Sequence, residues 1–306
     1  DDIAHWRNPS EDALGIAVPL VVARRRAVLL ELERLHNHIA DLGAIANDVG
    51  FGIAMAHAQR LREQLLRHNA RVTGHRLLRG AIGIGTTELA GPVDVALVAA
   101  VAEQAAELAQ LTTDHSVIAD RFTGTAVLPA EKARQLGTLG YVARASGIDA
   151  DARVEHPWAD LGPAFAPVAE ASGDVAARYA VRVREIAVSA AVITRLVAQL
   201  DSTEDLVGAE GAGSGARGGA SPEAPPGAPM RAAGSGSAGL GVVEAWRGTL
   251  CHRVELDGAG RLTRVKIVDP SFFNWPALSV ALEDTIVPDF PLANKSFNQS
   301  YAGNDL

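Results

Sequence analysis

Few residues of this 306-residue chain have a type and spacing that could do chemistry. Its one cysteine, Cys251, excludes an internal disulfide framework, a cysteine-only zinc site and an iron–sulfur cluster held by this chain alone. Any redox role must then use metal-free chemistry or a partner's cofactor. Cys251 falls in a strand-like segment with no second thiol and reads as an inert packing residue. His36 and His38 are two apart, so on a helix they diverge, which suits capping or interhelical pairing better than metal ligation. His57 with Glu63 lacks the H-E-x-x-H spacing. A literal G-x-G-x-x-G at Gly213, Gly215 and Gly218 has neither the preceding strand nor the following helix of a dinucleotide site. No Gly-Lys pair offers a P-loop, and no G-x-S-x-G offers a nucleophile elbow. Arg182 and Ser189 are the sharper signal, because they interrupt an otherwise apolar helical seam. Two readings stand: a bundle arginine paired with a carboxylate, or a polar site in the bundle core.

The elements that would position these residues are mostly helical. Apolar residues make up 48% of the chain and aromatics only 5%, so Ala, Val and Leu must fill the core, which favours close-packed helices. Val28, Leu32, Leu35, Ile39, Leu42, Ala46 and Val49 recur at alternating spacings of four and three, a heptad-like seam. Arg24, Arg25, Glu31, Arg34, Asn37 and Asp41 fall off it. A second helix is expected from Ile53 to Val72, ending near Gly74. A third follows Pro92, with Val93, Leu97, Val101, Leu108 and Leu111 inward. A fourth starts near Asp174, an N-cap, with the seam Val175, Tyr179, Arg182, Ile186, Ser189, Ile193, Leu196 and Leu200. Asp120–Gly173, punctuated by Gly and Pro, is expected to form packed loops with one helical piece, Ala130–Leu136.

One domain is expected, built from a helical core over 1–207, a Gly/Ala/Ser/Pro-rich flexible loop over 208–241, and a C-terminal segment over 242–306. In that segment Val242–Arg247, Thr249–Leu256 and Leu262–Val268 read as strands, with a turn at Asp257–Gly260. Pro276–Leu282 reads as a short helix and the remainder as irregular. The net charge of −8 disfavours nucleic acid as a partner. No uninterrupted apolar run reaches the length of a membrane helix; Ile16–Ala23 and Val95–Ala102 are too short. The first residues lack a signal-peptide pattern, so a cytoplasmic chain is expected.

A series of strings then carries a resemblance. Glu31-Leu32-Glu33-Arg34-Leu35-His36-Asn37-His38 leads to Asp48-Val49-Gly50-Phe51, then to Thr73-Gly74-His75-Arg76. Asp120-Arg121-Phe122-Thr123-Gly124 and Ala143-Arg144-Ala145-Ser146-Gly147 follow, then Asp151, Arg153, His156 and Pro157. Next come Gly173-Asp174-Val175, Arg182 and Glu185, and Val243-Glu244-Ala245 with Arg247-Gly248. In this order they resemble the large-subunit family shared by nickel–iron hydrogenases and the 49-kDa subunit of complex I. The tail Asp269-Pro270-Ser271-Phe272-Phe273-Asn274-Trp275-Pro276 resembles the hydrogenase-3/4-type, formate hydrogenlyase branch most closely.

The resemblance implies a mainly α, helical-bundle large subunit with long packed loops and a small β-hairpin region. It implies docking on an iron–sulfur small subunit and on membrane-arm subunits, hence a peripheral place on the inner face of the cell membrane. The reaction site would lie at the boundary between large and small subunits. It would be a nickel–iron site on two C-x-x-C pairs in hydrogenases, and part of a quinone pocket in the 49-kDa branch. Here the positions of the C-terminal pair are Ser271 and Asn274, and neither replaces a thiolate at nickel. The N-terminal pair is expected to lie before Asp1. Tyr141 stands where the family usually has Pro, and Leu78 where the 49-kDa branch has a His near the terminal cluster. The implied function is a nickel-free large subunit of a membrane-associated NADH-quinone or formate hydrogenlyase-like oxidoreductase. It would hold no cofactor itself and would pass electrons from a partner's iron–sulfur cluster to a quinone-like acceptor. The alternatives are a non-catalytic scaffold and a truncated, degenerate paralogue. Arg144, Asp151, Arg153, Arg76 and Glu31 are the candidate site residues. They form either structural ion pairs that fix loops to the bundle or a proton-coupled charge network.

Overall fold

The computed structural model describes residues 8–157, 159–162, 165–207 and 236–304. It opens with α1 (Pro9–Leu14), started by a capping box between Asn8 and Glu11 and closed by Gly15 in the left-handed conformation. Next comes α2 (Leu20–Asn47), the central helix. Its predicted seam is buried from Val28 to Ala46, while Val49 lies past its end. Glu31, Arg34 and Asp41, expected off the seam, are buried as well. The reason is position: α2 has neighbours on more than one side, so its off-seam face is a second interface and its charges must be paired there.

Across one side of α2 runs α3 (Gly52–Thr73), ended by left-handed Gly74. The two helices approach closely at Gly43, where an added Cβ would lie 2.5 Å from that of Ala58. A two-stranded hairpin, β1 (Ile82–Gly83) and β2 (Thr86–Thr87), leads to α4 (Val95–Asp114), capped by Asp94. The buried stripe of α4 is Val98, Val101, Ala105, Ala109 and Thr112. Leu111, expected inward, is 65% exposed; towards the C-terminal end of α4 the smaller Ala105, Ala109 and Thr112 take the inner face instead. By length and composition α4 could cross a membrane, contrary to the expectation from uninterrupted runs, because its alanines continue past Glu103 and Glu107.

The stretch 120–173 holds more helix than the single piece predicted. It contains the end of α5 (Ser116–Phe122), then α6 (Ala130–Leu136), α7 (Gly140–Ala145) and α8 (Ala152–Glu155). Such single turns are too short to show a periodic signal. The long α9 (Val175–Val207) follows Asp174, whose Oδ1 accepts from the Ala177 amide at 2.8 Å. All eight predicted seam residues of α9 are buried. With α2, α3 and α4 it forms the bundle.

Three antiparallel strands follow in the order β3 (Ser237–Ala245), β4 (Gly248–Leu256) and β5 (Leu262–Val268). β3 begins five residues inside the stretch expected to be a loop. Residues 208–235, with the Gly213/Gly215/Gly218 string, lie outside the described residues. The helix expected at Pro276–Leu282 is α10 (Pro270–Ala281); it starts six residues earlier because Asp269 caps it, accepting from Ser271 N, and Pro270 fits its first turn. The tail expected to be irregular contains α11 (Phe290–Phe297) and α12 (Tyr301–Asn304). Leu292, Ala293 and Phe297 of α11 pack into the core. The architecture is mainly α, as expected, with a three-stranded antiparallel sheet towards the C-terminus and the short β1–β2 hairpin among the described residues.

Candidate functional site

Four of the five candidate residues meet inside the protein. Arg144 on α7 reaches Glu185 on α9 at 2.7 Å, Glu244 on β3 at 2.8 Å and Asp151, the N-cap of α8, at 3.4 Å. Arg153 binds Asp151 at 2.7 Å and Glu31 on α2 at 3.1 Å. Glu31 also accepts from Arg34 Nε at 3.1 Å and from the Ser189 hydroxyl at 2.6 Å. His38 Nε2 lies 2.6 Å from Glu185 Oε2. None of the ion-paired side chains in this cluster is more than 2% exposed.

Burial alone would raise Glu31, Asp151 and Glu185, and the cations reverse it. Arg34 and Arg153 hold Glu31 below its ordinary value. Arg153 and Arg144 do the same for Asp151. Arg144, then the His38 hydrogen bond, hold Glu185 well below the usual carboxylate range. His38 is pushed down by burial, with Glu185 opposing only in part. Three guanidiniums therefore face four carboxylates in a sealed interior that ties α2, α7, α8, α9 and β3 together. Ser189, read as one interruption of the α9 seam, belongs to this network. Arg182, the other, pairs with Asp41 at 2.9 Å and lies 3.8 Å over the ring of Tyr141, the first of the two readings given to it.

Arg76 stands apart. It is on the surface, paired with Glu63 at 2.5 Å. Hydrogen bonds from Arg76 and Arg67 draw Glu63 down to about 2. His36 bonds the Leu32 carbonyl at 3.0 Å, and burial pushes it down to about 4. Cys251 sits in β4 opposite Val242 and Val268.

A cavity of about 400 Å³ opens beside this network. One wall is α2, through Arg26, Leu29, Leu30 and Glu33. Another is the segment after α3, through Leu77, Leu78 and Ile82. The sheet contributes Val243, Trp246, Arg247 and Leu250, and the start of α10 contributes Asp269 and Pro270. Trp246 separates the cavity from the network: its ring meets that of His38 edge-on, with centroids 6.4 Å apart. The Arg247 guanidinium lies 3.9 Å over the Trp246 ring and donates to the Asn298 carbonyl. The turn between β3 and β4 can approach α7 only because residue 140 is glycine; a Cβ there would overlap the Arg247 carbonyl. Sequence reasoning did not select Trp246 or Arg247. The only signal was the string Val243-Glu244-Ala245 with Arg247-Gly248, which names residues but not a cavity.

Ser271 and Asn274 lie on the first turns of α10, next to the cavity floor at Asp269 and Pro270. Both are buried and both are used by the fold. Ser271 Oγ accepts from Ser300 N at 3.0 Å. Asn274 accepts from Leu139 N at 2.9 Å and donates to Leu139 O at 3.1 Å. A neutral hydroxyl and a neutral amide already bonded to backbone do not fit a nickel centre.

The comparisons decide the family. Residues 48–212, more than half of the chain, match the family described as the respiratory-chain NADH dehydrogenase 49 kDa subunit. The chain belongs to this family. Among the relatives of this 49 kDa-subunit family member, formate hydrogenlyase subunit 5 of Escherichia coli (strain K12) is 28% identical over 96% of this chain and 49% of its own length. Hydrogenase-4 component G of the same organism is 29% identical over 98% of this chain and 48% of its own. NADH-quinone oxidoreductase subunit 4 of Thermus thermophilus is 31% identical over 62% of this chain and 48% of its own. The chain spans about half the length of these curated relatives. The two hydrogenase-type relatives align through the sheet and the α10 region as well as the bundle, in keeping with the resemblance of the tail.

Proposed function

We propose that this chain is a nickel-free large subunit of a membrane-associated oxidoreductase complex, and that its cavity takes a quinone-like acceptor. The carrying observation is the cavity itself. Its walls are mostly aliphatic and aromatic, with a few charged groups, as a site for a flat amphipathic molecule requires. It lies against Asp269-Pro270, directly before the two positions where the family's hydrogenases place thiolates. With Ser271 and Asn274 there, the site offers binding and orientation but no nickel. Electrons would come from an iron–sulfur cluster of a partner small subunit, and two electrons with two protons convert a quinone to a hydroquinone. Attachment to the membrane would be through partner subunits.

In this reading the buried network is structural. It fixes α7, α8 and the end of β3 to α2 and α9, and so holds Trp246 and Arg247 in the cavity wall. Arg34 links the two, donating to the carbonyls of Glu244 at 2.6 Å and Ala245 at 3.1 Å. A photoreactive quinone tests the assignment. Labelling of the purified assembly is expected within residues 77–82 and 243–250, suppressed by excess unlabelled quinone. Labelling confined to partner subunits would favour the alternative, a scaffold with the family fold and no substrate.

A further inference from the structure

Among the described residues four charged side chains line the cavity, and three are committed elsewhere. Arg26 is bonded to Glu11 at 2.6 Å and to Thr87 Oγ1 at 3.0 Å. Arg247 stacks on Trp246 and donates to Asn298 O. Asp269 caps α10 and lies against Gly303. The Glu33 carboxyl makes no hydrogen bond or ion pair among the described residues, although it stands on the same wall.

Glu33 is also unusual in its surroundings. Glu33 is exposed, and it lines the cavity. Protein crowds the carboxyl while the cavity leaves it reachable, so water solvates it poorly without being shut out. Burial raises its carboxyl above the ordinary value, with Arg34 and Arg247 opposing only in part. The groups that face it are Arg26 and Arg34 from its own helix, Arg247 from the strand turn and Asp269 from α10. The lining residues of the segment after α3, Leu77, Leu78 and Ile82, are uncharged, and its exposed Arg79 is not among the lining residues.

We infer that Glu33, in its acid form, donates a hydrogen bond to a carbonyl oxygen of the molecule bound in this cavity, making affinity for an oxidised quinone depend on pH. This deepens the reading of the cavity as a quinone-like site and rests on it. A carbonyl oxygen accepts but cannot donate, so it pairs with a carboxylic acid and is repelled by a carboxylate. Ionisation of Glu33 therefore turns a partner into an unfavourable neighbour.

The test is calorimetric binding of 2,3-dimethyl-1,4-naphthoquinone, a tail-less quinone with no open ring position, to the full chain from about pH 5 to 9. The native chain is expected to lose about tenfold in affinity as pH rises. Glu33→Gln keeps an N–H donor that does not titrate, so it should bind with a flat pH profile close to the native low-pH affinity. Glu33→Ala should bind about tenfold more weakly at low pH and show no pH dependence. A flat native profile, or a Glu33→Gln profile that still slopes like the native one, would overturn the role of Glu33 while leaving the quinone site standing. No binding by the native chain at any pH would overturn both.

Discussion

His38 Nε2 lies 2.6 Å from Glu185 Oε2, joining α2 to α9 across 147 residues of chain, with both side chains sealed from water. Arg144 holds the other oxygen of the same carboxylate at 2.7 Å. One buried carboxylate thus ties three elements, and its partners have no alternative solvation.

Arg144→Ala should destabilise the protein by about 3–5 kcal/mol, because Glu185, Glu244 and Asp151 would stay buried without their shared cation. Arg76→Ala, at a solvent-exposed pair, should leave stability nearly unchanged. Urea denaturation of both variants checks the contrast. Equal effects would contradict the separation between the buried network and the surface pair.

Stability should fall with acid along two limbs. His36, at about 4, and His38 are held neutral in the fold, whereas in the unfolded chain they take up protons near 6.5. Stability therefore falls gently as pH drops below about 6.5. Glu31, Asp151 and Glu185 have lowered values in the fold, so their contribution is complete above the ordinary carboxylate range. It is lost as pH falls below about 4.5 through their folded-state values. Stability curves from pH 3 to 8 should show both limbs, and His36→Gln should flatten the upper one.

Gly140 and Gly137 both have positive φ, +64° and +65°, but only Gly140 meets backbone on its open side. Gly137→Ala should cost about 1–2 kcal/mol from the left-handed conformation alone. Gly140→Ala must also displace the Arg247–Gly248 backbone, and should cost more than about 3 kcal/mol. It should further shift the fluorescence of Trp246, which Gly137→Ala leaves alone.

Asn274→Ala removes both bonds to Leu139 and should cost about 2–3 kcal/mol, since a buried N–H and a buried carbonyl lose their partner. A thermal shift near zero would show that the residue is not serving the fold, and would reopen its reading as a structural replacement for a ligand.

The bundle was legible because α2, α3 and α9 are long enough for a seam to repeat, from Val28 to Ala46 and from Val175 to Leu200. The α4 stripe was misplaced because alanine scarcely distinguishes an inner from an outer face, and Leu111 looked more like core than Ala109. Single-turn helices such as α7 and α8 carry no period at all. The charged cluster was legible by composition of its strings, which gave Glu31, Arg144, Asp151 and Arg153 but also Arg76. Nothing in the spacing could separate Arg76, because the network is assembled by tertiary contacts over 122 residues in the case of Glu31 and Arg153. The cavity was illegible for the same reason: four separate segments each supply one wall.

The cavity beside Trp246 is the proposed place of the acceptor. Leu250 lines that cavity and is only half-buried, so Leu250→Trp can fill the space without overpacking the core. Quinone-dependent turnover of the affinity-purified native assembly is the direct measurement. Leu250→Trp is expected to abolish it while subunit composition and thermal stability are retained. Undiminished turnover in that variant would contradict that placement of the acceptor.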